Sequence, residues 1–413
     1  MSAEGWKIIK LKDICTKIGS GATPRGGKET YLSEGPYSLI RSQNVLDFSF
    51  SLNGLVFISE EQANQLNNVE VIEGDVLLNI TGDSVARVCQ VPKKLVPSRV
   101  NQHVAILRPN REKLLPEYLK YYLLNPKFKN FMLSMASVGG TRDALTKSMI
   151  EDFEIEMSDL PSQIQIATIL SALDDKIELN RQTNATLEAI AQGIFKEWFV
   201  DFRFPGATGE MQDTLLGPIP KGWRVGTLGG FGEIICGKTP SKAVPQYFGG
   251  DIPFVKIPDM HDSVFITHTF DTLTDHGALS QRKKFVPAYS VLVSCIATVG
   301  LVALTSQQCQ TNQQINAIVP INKNASLYLY FIAKSLRSTL RDLGSGGSAT
   351  LNVNTKSFAD IECLVPTEKN IQNFNRVVKP LFDKILELEN ESSALVNIRD
   401  NLLPKLMSGE IEV

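Results

Sequence analysis

The sequence predicts an α+β fold that repeats internally: two similar units, each a domain of strands and short helices followed by one long helix. Three observations support this. Short motifs recur in the same order half a chain apart, β-rich runs cluster in the first part of each unit, and heptads of apolar residues close each unit. A chain of 413 residues has room for about two to four domains.

The repeat is visible in short motifs. Gly5-Trp6-Lys7 returns as Gly222-Trp223-Arg224, at an offset of 217. The other matches keep their order while the offset drifts to 207: Thr23-Pro24 with Thr239-Pro240, Asp75–Leu78 with Ser290–Val293, Asn101-Gln102 with Asn312-Gln313, Gly139-Gly140 with Gly346-Gly347, Thr146–Ser148 with Thr355–Ser357, and Asp175–Ile177 with Asp383–Ile385. Chance does not produce such an ordered series, so the chain is two copies of a unit of about 200 residues.

The first part of each copy is predicted to be mostly strands. DVLLNI and NQHVAILRP in the first copy, and SVLVSCIATVGLVAL and INAIVP in the second, are short β-rich runs between turn-forming residues. A helical stretch follows them at residues 116–136, and SLYLYFIAKSLRSTLRDL matches it in the second copy. Grouped strands followed by helices indicate an α+β domain.

The second part of each copy is predicted to be a long helix with a heptad seam. In the first helix the seam positions are Leu170, Leu173, Ile177, Asn180, Asn184, Leu187, Ala191, Ile194 and Trp198. In the second they are Ile371, Phe374, Val378, Leu381, Ile385, Leu388, Ser392, Leu395, Arg399, Leu402 and Leu406.

Polar residues in the middle of such a seam can fix the register of a helix pair. Pro380 is expected to kink or restart the second helix. Each helix could instead cover only its own domain. Mutual pairing explains the pattern better, because both copies carry the seam at similar length.

The predicted boundaries follow from these patterns. Between the copies, FPGATGEMQDTLLGPIPKGW is rich in Gly and Pro and lacks periodicity, which indicates a connector. The predicted segments are a first domain at 1–158, a first helix at 159–203, a connector at 204–221, a second domain at 222–366 and a second helix at 367–413.

Composition narrows the class of protein. Apolar residues make up 43% of the chain and charged residues 21%, as in ordinary globular proteins. No apolar run is long enough to cross a bilayer, and the first residues lack the apolar core of an export signal. The six cysteines are scattered without a C-x-x-C pair, which argues against a zinc ribbon or a disulfide framework. These features predict a cytoplasmic protein.

The net charge of −2 hides an alternation along the chain. Residues 1–147 carry 19 basic and 14 acidic residues, a net of +5, and residues 216–366 carry 13 and 9, a net of +4. Residues 148–215 have a net charge of −9 and residues 367–413 of −2. The basic blocks could face phosphates, although charge alone leaves chance as an alternative.

Catalytic and metal-binding motifs are missing from both copies. GSGATPRGGKET resembles a phosphate-binding loop but fails on spacing, because Ala22 and Glu29 stand where Gly and Ser or Thr are needed. The sequence also lacks a His-Glu-x-x-His zinc motif, a Gly-x-Ser-x-Gly elbow and the Asp/Asn-Pro-Pro-Tyr/Phe tetrapeptide of amine methylation. The duplicated Asn101-Gln102 fits a β-bulge or turn as well as a functional site. We therefore expect a chain without catalytic activity, metal or cofactor.

Residues 160–202 resemble the conserved helix of the specificity subunit of Type I restriction–modification enzymes. The resemblance rests on Pro161-x-Gln163-x-x-Ile166-Ala167, on Leu173-Asp174-x-Lys176-Ile177-x-x-Asn180, and on Ile194-Phe195-Lys196-x-Trp198-Phe199-Val200-Asp201-Phe202. GPIPKGWRVGTL at 217–228 resembles the start of that family's second half. The second long helix departs from the pattern, with Ile371-Gln372-Asn373-Phe374 where the first has Gln163-Ile164-Gln165-Ile166.

The resemblance implies a non-catalytic subunit with two target-recognition domains, each reading one half of a bipartite site in double-stranded DNA. It implies that the two long helices pair as an antiparallel coiled coil, set the spacing of the domains, and dock two methyltransferase subunits. S-adenosylmethionine, ATP and magnesium are then expected on the partner subunits, which include restriction/translocase subunits in a nuclease-competent complex. The alternative from the residues alone is a duplicated coiled-coil adaptor that binds proteins and not DNA; a steep salt dependence of DNA binding would distinguish the two.

Candidate DNA contacts are polar residues in the predicted loops, because Arg, Gln and Asn can make bidentate contacts to bases whereas Lys more often holds phosphate. In the first copy they are Arg41, Ser42, Gln43, Asn44, Ser84, Arg87, Thr141 and Arg142. In the second they are Lys238, Lys242, Lys256, Asp259, Ser345 and Ser348. Residues 166–198 would span about 50 Å as a helix, or about 15 base pairs, so half-sites about one helical turn or slightly more apart are expected.

Overall fold

A computed structural model describes residues 6–137, 143–345 and 351–413. The chain divides into two compact units, Met1–Lys176 with Leu395–Val413, and Ile177–Ala394. Each unit therefore combines one globular domain with parts of both long helices.

The described residues of the first domain form ten strands and five α-helices. They are β1 (Lys7–Lys10), α1 (Leu11–Ile14), β2 (Cys15–Ser20), β3 (Tyr37–Ile40), β4 (Val56–Ile58), α2 (Glu60–Gln65), β5 (Glu70–Val71), β6 (Val76–Asn79), β7 (Val88–Gln90), β8 (Ser98–Val100), β9 (Val104–Pro109), α3 (Pro116–Leu124), α4 (Pro126–Ser137), α5 (Lys147–Glu151) and β10 (Glu154–Met157). The first long helix, α6 (Leu160–Phe199), follows directly.

The second half continues with β11 (Met211–Thr214), β12 (Gly217–Pro220), β13 (Arg224–Thr227), β14 (Gly232–Cys236), β15 (Phe248–Val255), β16 (Phe265–Ile266), β17 (Asp271–Leu273), α7 (Asp275–Leu279), β18 (Val291–Ser294), β19 (Val302–Thr305), β20 (Gln310–Thr311), β21 (Ile315–Pro320), α8 (Ser326–Ser335), α9 (Arg337–Gly344), α10 (Thr355–Ala359) and β22 (Glu362–Val365). The second long helix is α11 (Glu368–Met407).

The strands that the two domains share have the same order in their sheets, although the second domain adds β16 to one sheet and, within its described residues, has no counterpart of β5 in the other. The first domain has an antiparallel pair β1-β10, a sheet β2-β9-β6-β7 and a sheet β4-β3-β8-β5. The second has the matching pair β13-β22, a sheet β14-β21-β18-β19-β16 and a sheet β17-β15-β20. The parallel pair β3-β8 corresponds to the parallel pair β15-β20. The duplicated topology confirms the predicted internal repeat and the α+β class.

Several elements differ in detail from the sequence prediction. The helical stretch at 116–136 is two helices, since Pro126 has no backbone N–H to continue α3 and instead begins α4. SVLVSCIATVGLVAL forms two antiparallel strands, β18 and β19, which turn through Gly300 at φ +89°. The connector contains a hairpin, β11-β12, stabilised by the Gln212 Nε2–Trp223 O hydrogen bond of 2.5 Å.

Helix α11 is continuous through Pro380, so the expected restart of the helix was wrong. Val378 and Phe382, on either side of the proline, are both fully buried in the core of the second unit. This packing compensates for the backbone hydrogen bond that the proline cannot donate.

In the second unit, α6 and α11 pack antiparallel through aromatic rings. Phe195 has no more than 2% of its surface exposed and lies 6.1 Å from Phe374, between ring centroids. It also contacts Phe331 of α8 at 5.3 Å, which joins the helix pair to the domain. Nearer the middle of both helices, Asn180 Nδ2 donates to Glu391 Oε2 at 2.8 Å.

In the first unit, a buried polar network joins the same two helices. Arg399 Nη1 lies 2.9 Å from Asp174 Oδ1, and Lys120 Nζ of α3 lies 3.1 Å from Asp174 Oδ2. Tyr121 donates to Asp174 Oδ2 at 2.6 Å, and burial with this carboxylate beside it raises the pKa of the tyrosine. The two cations therefore compensate the charge of one carboxylate that lies between the helix pair and α3, which offsets the cost of removing it from water.

None of the predicted seam residues is exposed. The buried ones are Leu170, Asn180, Asn184, Ala191, Ile371, Phe374, Val378, Ile385, Leu388, Arg399 and Leu406, and the half-buried ones are Leu173, Ile177, Leu187, Ile194, Trp198, Leu381, Ser392, Leu395 and Leu402. Towards the second domain the largest buried side chains of α6 are Phe195 and Phe199, one position after the predicted Ile194 and Trp198. There the helix follows the 3.6-residue period of a domain-packed helix instead of the 3.5-residue heptad.

All six cysteines are free thiols. Within the described residues, none of the helices has the length and apolar character that a bilayer crossing requires.

A half-buried glutamate attaches α11 to the second domain. Glu389 accepts hydrogen bonds from the backbone N–H groups of Val264 at 2.8 Å and Phe265 at 2.9 Å. Burial raises the pKa of Glu389 to about 7, the two backbone donors oppose the shift, and the nearby Glu188 adds to it.

We expect Phe195→Ala to destabilise the protein by about 3–5 kcal/mol, because it removes a ring from a packed core. Ile190→Ala, at an exposed position of the same helix, should change stability by about 0.5 kcal/mol or less. Denaturant unfolding followed by circular dichroism measures both. Equal effects of the two substitutions would contradict the packing described for α6.

The Glu389 carboxyl group should also make stability depend on pH. Between pH 4.5, its ordinary pKa, and about pH 7, the unfolded chain releases this proton while the folded chain keeps it, so stability should fall as pH rises. Glu389→Gln should flatten this dependence, whereas Glu387→Gln, at an exposed position of α11, should not. Unfolding midpoints measured across this window test it; equal pH slopes for wild type and Glu389→Gln would refute the assignment.

Candidate nucleic-acid interface

Both domains place a basic residue at the same polar turn. In the first, Arg41 follows β3 and precedes a short 3-10 helix at Ser42–Asn44. In the second, Lys256 follows β15 and precedes a 3-10 helix at Ile257–Met260. The backbone N–H of the basic residue donates to an acid or amide three residues on, Arg41 to Asn44 Oδ1 at 3.0 Å and Lys256 to Asp259 Oδ2 at 2.8 Å. The Arg41 turn and the Lys256 turn, which were predicted separately, therefore occupy equivalent positions in the two domains.

The Arg41 turn of the first domain is held in shape by its neighbours. Arg41 Nη2 and Gln43 Nε2 both donate to the carbonyl of Gly54, at 2.5 and 3.2 Å. Gly54 has φ +64°, which favours glycine, and a Cβ there would lie 2.3 Å from Gln43 Nε2 and displace that amide. The guanidinium also lies 5.5 Å from the ring centroid of Tyr31. Arg41 and Ser42 are half-buried and Gln43 is exposed. The side chains of Arg41 and Gln43 therefore reach the surface, and their hydrogen bonds to Gly54 O hold them in fixed orientations.

A second candidate loop of the first domain adjoins this turn. Asn79 Nδ2 donates to Ser42 O at 2.9 Å, while the Asn79 backbone N–H donates to Arg87 O at 2.9 Å. Ser84 and Arg87 are half-buried, and Arg87 forms no ion pair with any residue that the structure describes. Asn79 therefore brings the Arg41 turn and the Ser84–Arg87 loop to one side of the domain. Thr141 and Arg142 lie outside the described residues.

The candidates of the second domain are less uniform. Lys238 and Lys242 are exposed, whereas Lys256 forms an ion pair with Asp271. Ser345 is exposed and donates to Asp342 O at 2.7 Å. Ser348 lies outside the described residues.

Two predicted contacts hold the turns instead of facing outward. Asn44 has no exposed surface, and its Nδ2 donates to Ser51 O at 2.9 Å while its Oδ1 accepts from Arg41. The carboxylate of Asp259 accepts from the backbone N–H of Lys256 and of Phe270. The sequence could not indicate this, because Asn and Asp are equally common as exposed loop residues and as residues whose side chains hydrogen-bond the backbone of a turn. Asn44 cannot contact DNA directly in this arrangement, and we assign both residues a positioning role.

The repeated Thr-Pro and Asn-Gln pairs contact each other, which the sequence did not reveal. Thr23 Oγ1 donates to Gln102 Oε1 at 2.6 Å, and Thr239 Oγ1 donates to Gln313 Oε1 at 2.7 Å. The repeat itself carried the signal, since both pairs recur, but only the fold shows that the two motifs touch.

Within the described residues, no group of three or more His, Cys, Asp or Glu side chains could hold a metal ion. The turns present donors from arginine, lysine and amide groups, a set suited to phosphate and base edges.

Comparison with known proteins gives one consistent family. A family model described as Type I restriction modification DNA specificity domain matches the chain twice, over residues 3–189 and 220–397. The Type I restriction enzyme HindI specificity subunit of Haemophilus influenzae is 37% identical over 398 residues, covering 82% of this chain and 87% of that protein. The MjaIX specificity subunit of Methanocaldococcus jannaschii is 28% identical over 425 residues, covering 99% of this chain and 94% of that protein.

A solved structure shares the fold. The crystal structure of a Type I restriction–modification S subunit from M. genitalium aligns with a TM-score of 0.58 at 16% identity, covering 97% of this chain and 96% of that chain. At that identity the match supports the duplicated architecture and nothing finer.

Proposed function

The chain belongs to the family of Type I restriction–modification DNA specificity subunits, which are non-catalytic, and from this premise we propose how its two target-recognition domains and its helices divide the work. Each domain reads one half of a bipartite site in double-stranded DNA. The two long helices set the spacing of the halves and dock two methyltransferase subunits.

The observation that carries the proposal is the pair of equivalent basic turns, Arg41–Asn44 and Lys256–Asp259, on two domains of the same topology. The turns share their backbone hydrogen bonds but differ in their side chains. Equivalent positions with different donors are what two readers of different half-sites need, since each base pair presents its own pattern in the major groove.

Continuity of the long helices supports the spacing role. Each is 40 residues long, or about 60 Å at 1.5 Å per residue, and neither is interrupted. The buried contact of Asn180 with Glu391 and Ser392 supports a fixed register, because a slip of one heptad would place Asn180 opposite Ile385 or Arg399 and break these bonds.

Partner docking is supported by apolar side chains on the outer faces of the helices. Ile169, Leu179 and Ile190 of α6 and Val377 and Ile398 of α11 are exposed. Contiguous exposed apolar surface commonly marks protein interfaces. On this proposal S-adenosylmethionine binds the methyltransferase subunits, and ATP and magnesium bind restriction/translocase subunits where these are present. The complex acts on DNA in the cytoplasm.

We expect Arg41→Ala with Arg87→Ala to relax only the half-site that the first domain reads. Loss of a base-reading arginine costs about 1–3 kcal/mol and loosens one position, while the other half-site should stay unchanged. Methylome sequencing of cells that carry the variant gives the motif, and DNA affinity is measured on the purified complex. Arg111→Ala, at an exposed arginine of the same domain, is the matched control. An unchanged motif and affinity in the double variant would contradict this assignment.

A second prediction concerns the spacing. Asn180 faces Ser392 and Trp198 faces Phe374, so the register places position 184 opposite position 388. Inserting one heptad after Asn184 and another after Glu387 keeps the seam in phase and adds about 10 Å, or about 3 base pairs. We expect the methylated motif to gain up to about 3 base pairs of spacer, or to be lost because one domain has rotated off its groove.

The control is one insertion of about 14 flexible residues in the connector after Thr208. It adds the same number of residues as the two heptads and leaves the helices intact. That variant should keep the original spacer. An insertion in the helices that assembles with its partners and methylates the original motif would show that the helices do not set the spacing. If the wild-type complex did not bind DNA in a salt-dependent way, the protein-binding adaptor would be favoured instead.

A further inference from the structure

One exposed contact is built twice. The hydroxyl of Thr23 donates to Gln102 Oε1 at 2.6 Å, and the hydroxyl of Thr239 donates to Gln313 Oε1 at 2.7 Å. We call each of these contacts a threonine–glutamine bridge. In the first domain it joins the loop after β2 to the segment before β9, the strand that pairs with β2. In the second domain it joins the loop after β14 to the segment before β21, the strand that pairs with β14.

Each bridge lies over a close approach of two backbone segments. A Cβ at Gly21 would lie 1.7 Å from Val100 O, and a Cβ at Gly237 would lie 2.1 Å from Asn312 O. Both positions therefore need glycine for the close approach of two backbone segments. The prolines that follow the threonines, Pro24 and Pro240, are buried. Each loop is thus anchored so that its threonine is held against the glutamine.

Stability does not explain why the bridge occurs twice. Thr23, Gln102 and Gln313 are exposed, and Thr239 is half-buried. A neutral side-chain hydrogen bond that water can replace contributes little to folding. The glycine and proline positions already fix the loops, so the bridge has another use.

The bridge fixes the orientation of the glutamine amide. Its oxygen accepts from the threonine, which leaves the NH₂ group as the outward-facing donor. A glutamine that reads adenine uses its oxygen and its nitrogen together, and here the oxygen is already engaged. The Nε2 of Gln313 has no partner among the described residues, and that of Gln102 lies 3.1 Å from His103 Nε2. The bridge therefore presents donors to a ligand that supplies acceptors.

Positive charge lies on the same loops. Arg25 and Lys28 follow Thr23, and Lys238 and Lys242 flank Thr239; all four are exposed, and none forms an ion pair within the part of the chain that the structure describes. The bridge also adjoins the basic turn of each domain. Asn101 N donates to Ile40 O, next to Arg41, and Asn312 N donates to Val255 O, next to Lys256, both at 3.0 Å.

We propose that the threonine–glutamine bridge is a DNA-backbone contact that both domains share, with the glutamine NH₂ and the flanking lysines or arginines holding phosphate oxygens. The two domains read different half-sites, so a surface kept the same in both must bind what every DNA sequence has in common. Phosphates offer only acceptors, which matches the donors of the bridge. Such a contact orients each domain on the duplex without reading bases. The inference rests on the proposed DNA-binding function.

The test uses the complex of this chain with its methyltransferase subunits, and two duplexes: one with the methylated motif and one with both half-sites scrambled. Gln313→Glu keeps an oxygen for Thr239 but replaces the outward donor with a negative charge. We expect it to weaken binding to both duplexes by the same factor, about tenfold or more. Gln372→Glu, an exposed position of α11 with the same charge change, should stay within about twofold. The thermal unfolding midpoint checks that both variants fold.

Gln102→Glu gives an independent test in the first domain, and Lys238→Ala should lower the slope of log affinity against log salt by about one. An unchanged affinity in both glutamate variants would overturn the proposal and leave the bridge a structural contact. A loss confined to the motif duplex, or an altered methylated motif, would overturn it in favour of base reading. If the wild-type complex itself showed no salt-dependent DNA binding, the proposed function would fail before the bridge is tested.

Discussion

The pairing of the two long helices is the constraint on which the rest of the structure depends. Neither α6 nor α11 belongs to one unit alone, since each unit takes its helical part from both. In the first unit the pair is closed by the buried Asp174 with Arg399 and Lys120, and in the second by the aromatic packing of Phe195 on Phe374. Because α6 precedes the second domain and α11 follows it, an antiparallel pair lets each domain core include one end of both helices. The seam is therefore less uniform than a free coiled coil, with ends that follow the packing of a domain.

Duplication followed by divergence explains which surface features the domains share. The shared strand order of the sheets, the close-approach glycines and the threonine–glutamine bridges recur in both, whereas the donors at the basic turns differ, Arg41 in one and Lys256 in the other. On the proposed function, the shared features would suit what both half-sites have in common, and the differing ones would suit the bases. A lysine is a compact point charge and an arginine a bidentate fork, so this single difference changes what a turn can recognise. The proposed division would separate orientation on the duplex from reading of its sequence.

The sequence predicted the architecture well, because a repeat and a heptad pattern are long-range signals that average over many residues. It predicted INAIVP as a strand, which is β21 (Ile315–Pro320), and placed both long helices. It failed where one residue's surroundings decide the outcome. Pro380 was expected to kink or restart α11; the restart does not occur, because residues on both sides of the proline are buried in the core. Asn44 was taken for a surface donor, yet it is buried in a turn that only the folded neighbours Ser51 and Arg41 define. The contact between Thr23 and Gln102, 79 positions apart, has no local signature at all.

On the proposed function, one chain with two target-recognition domains specifies a two-part DNA site. The decisive measurement is long-read methylome sequencing of cells that produce the methyltransferase subunit with this chain and of otherwise identical cells that lack the chain. We expect methylation at a motif of two specific half-sites separated by a gap of fixed length and unspecified sequence, present only when the chain is produced. A continuous motif, a gap of variable length, or a methylome that does not change with the chain would contradict it.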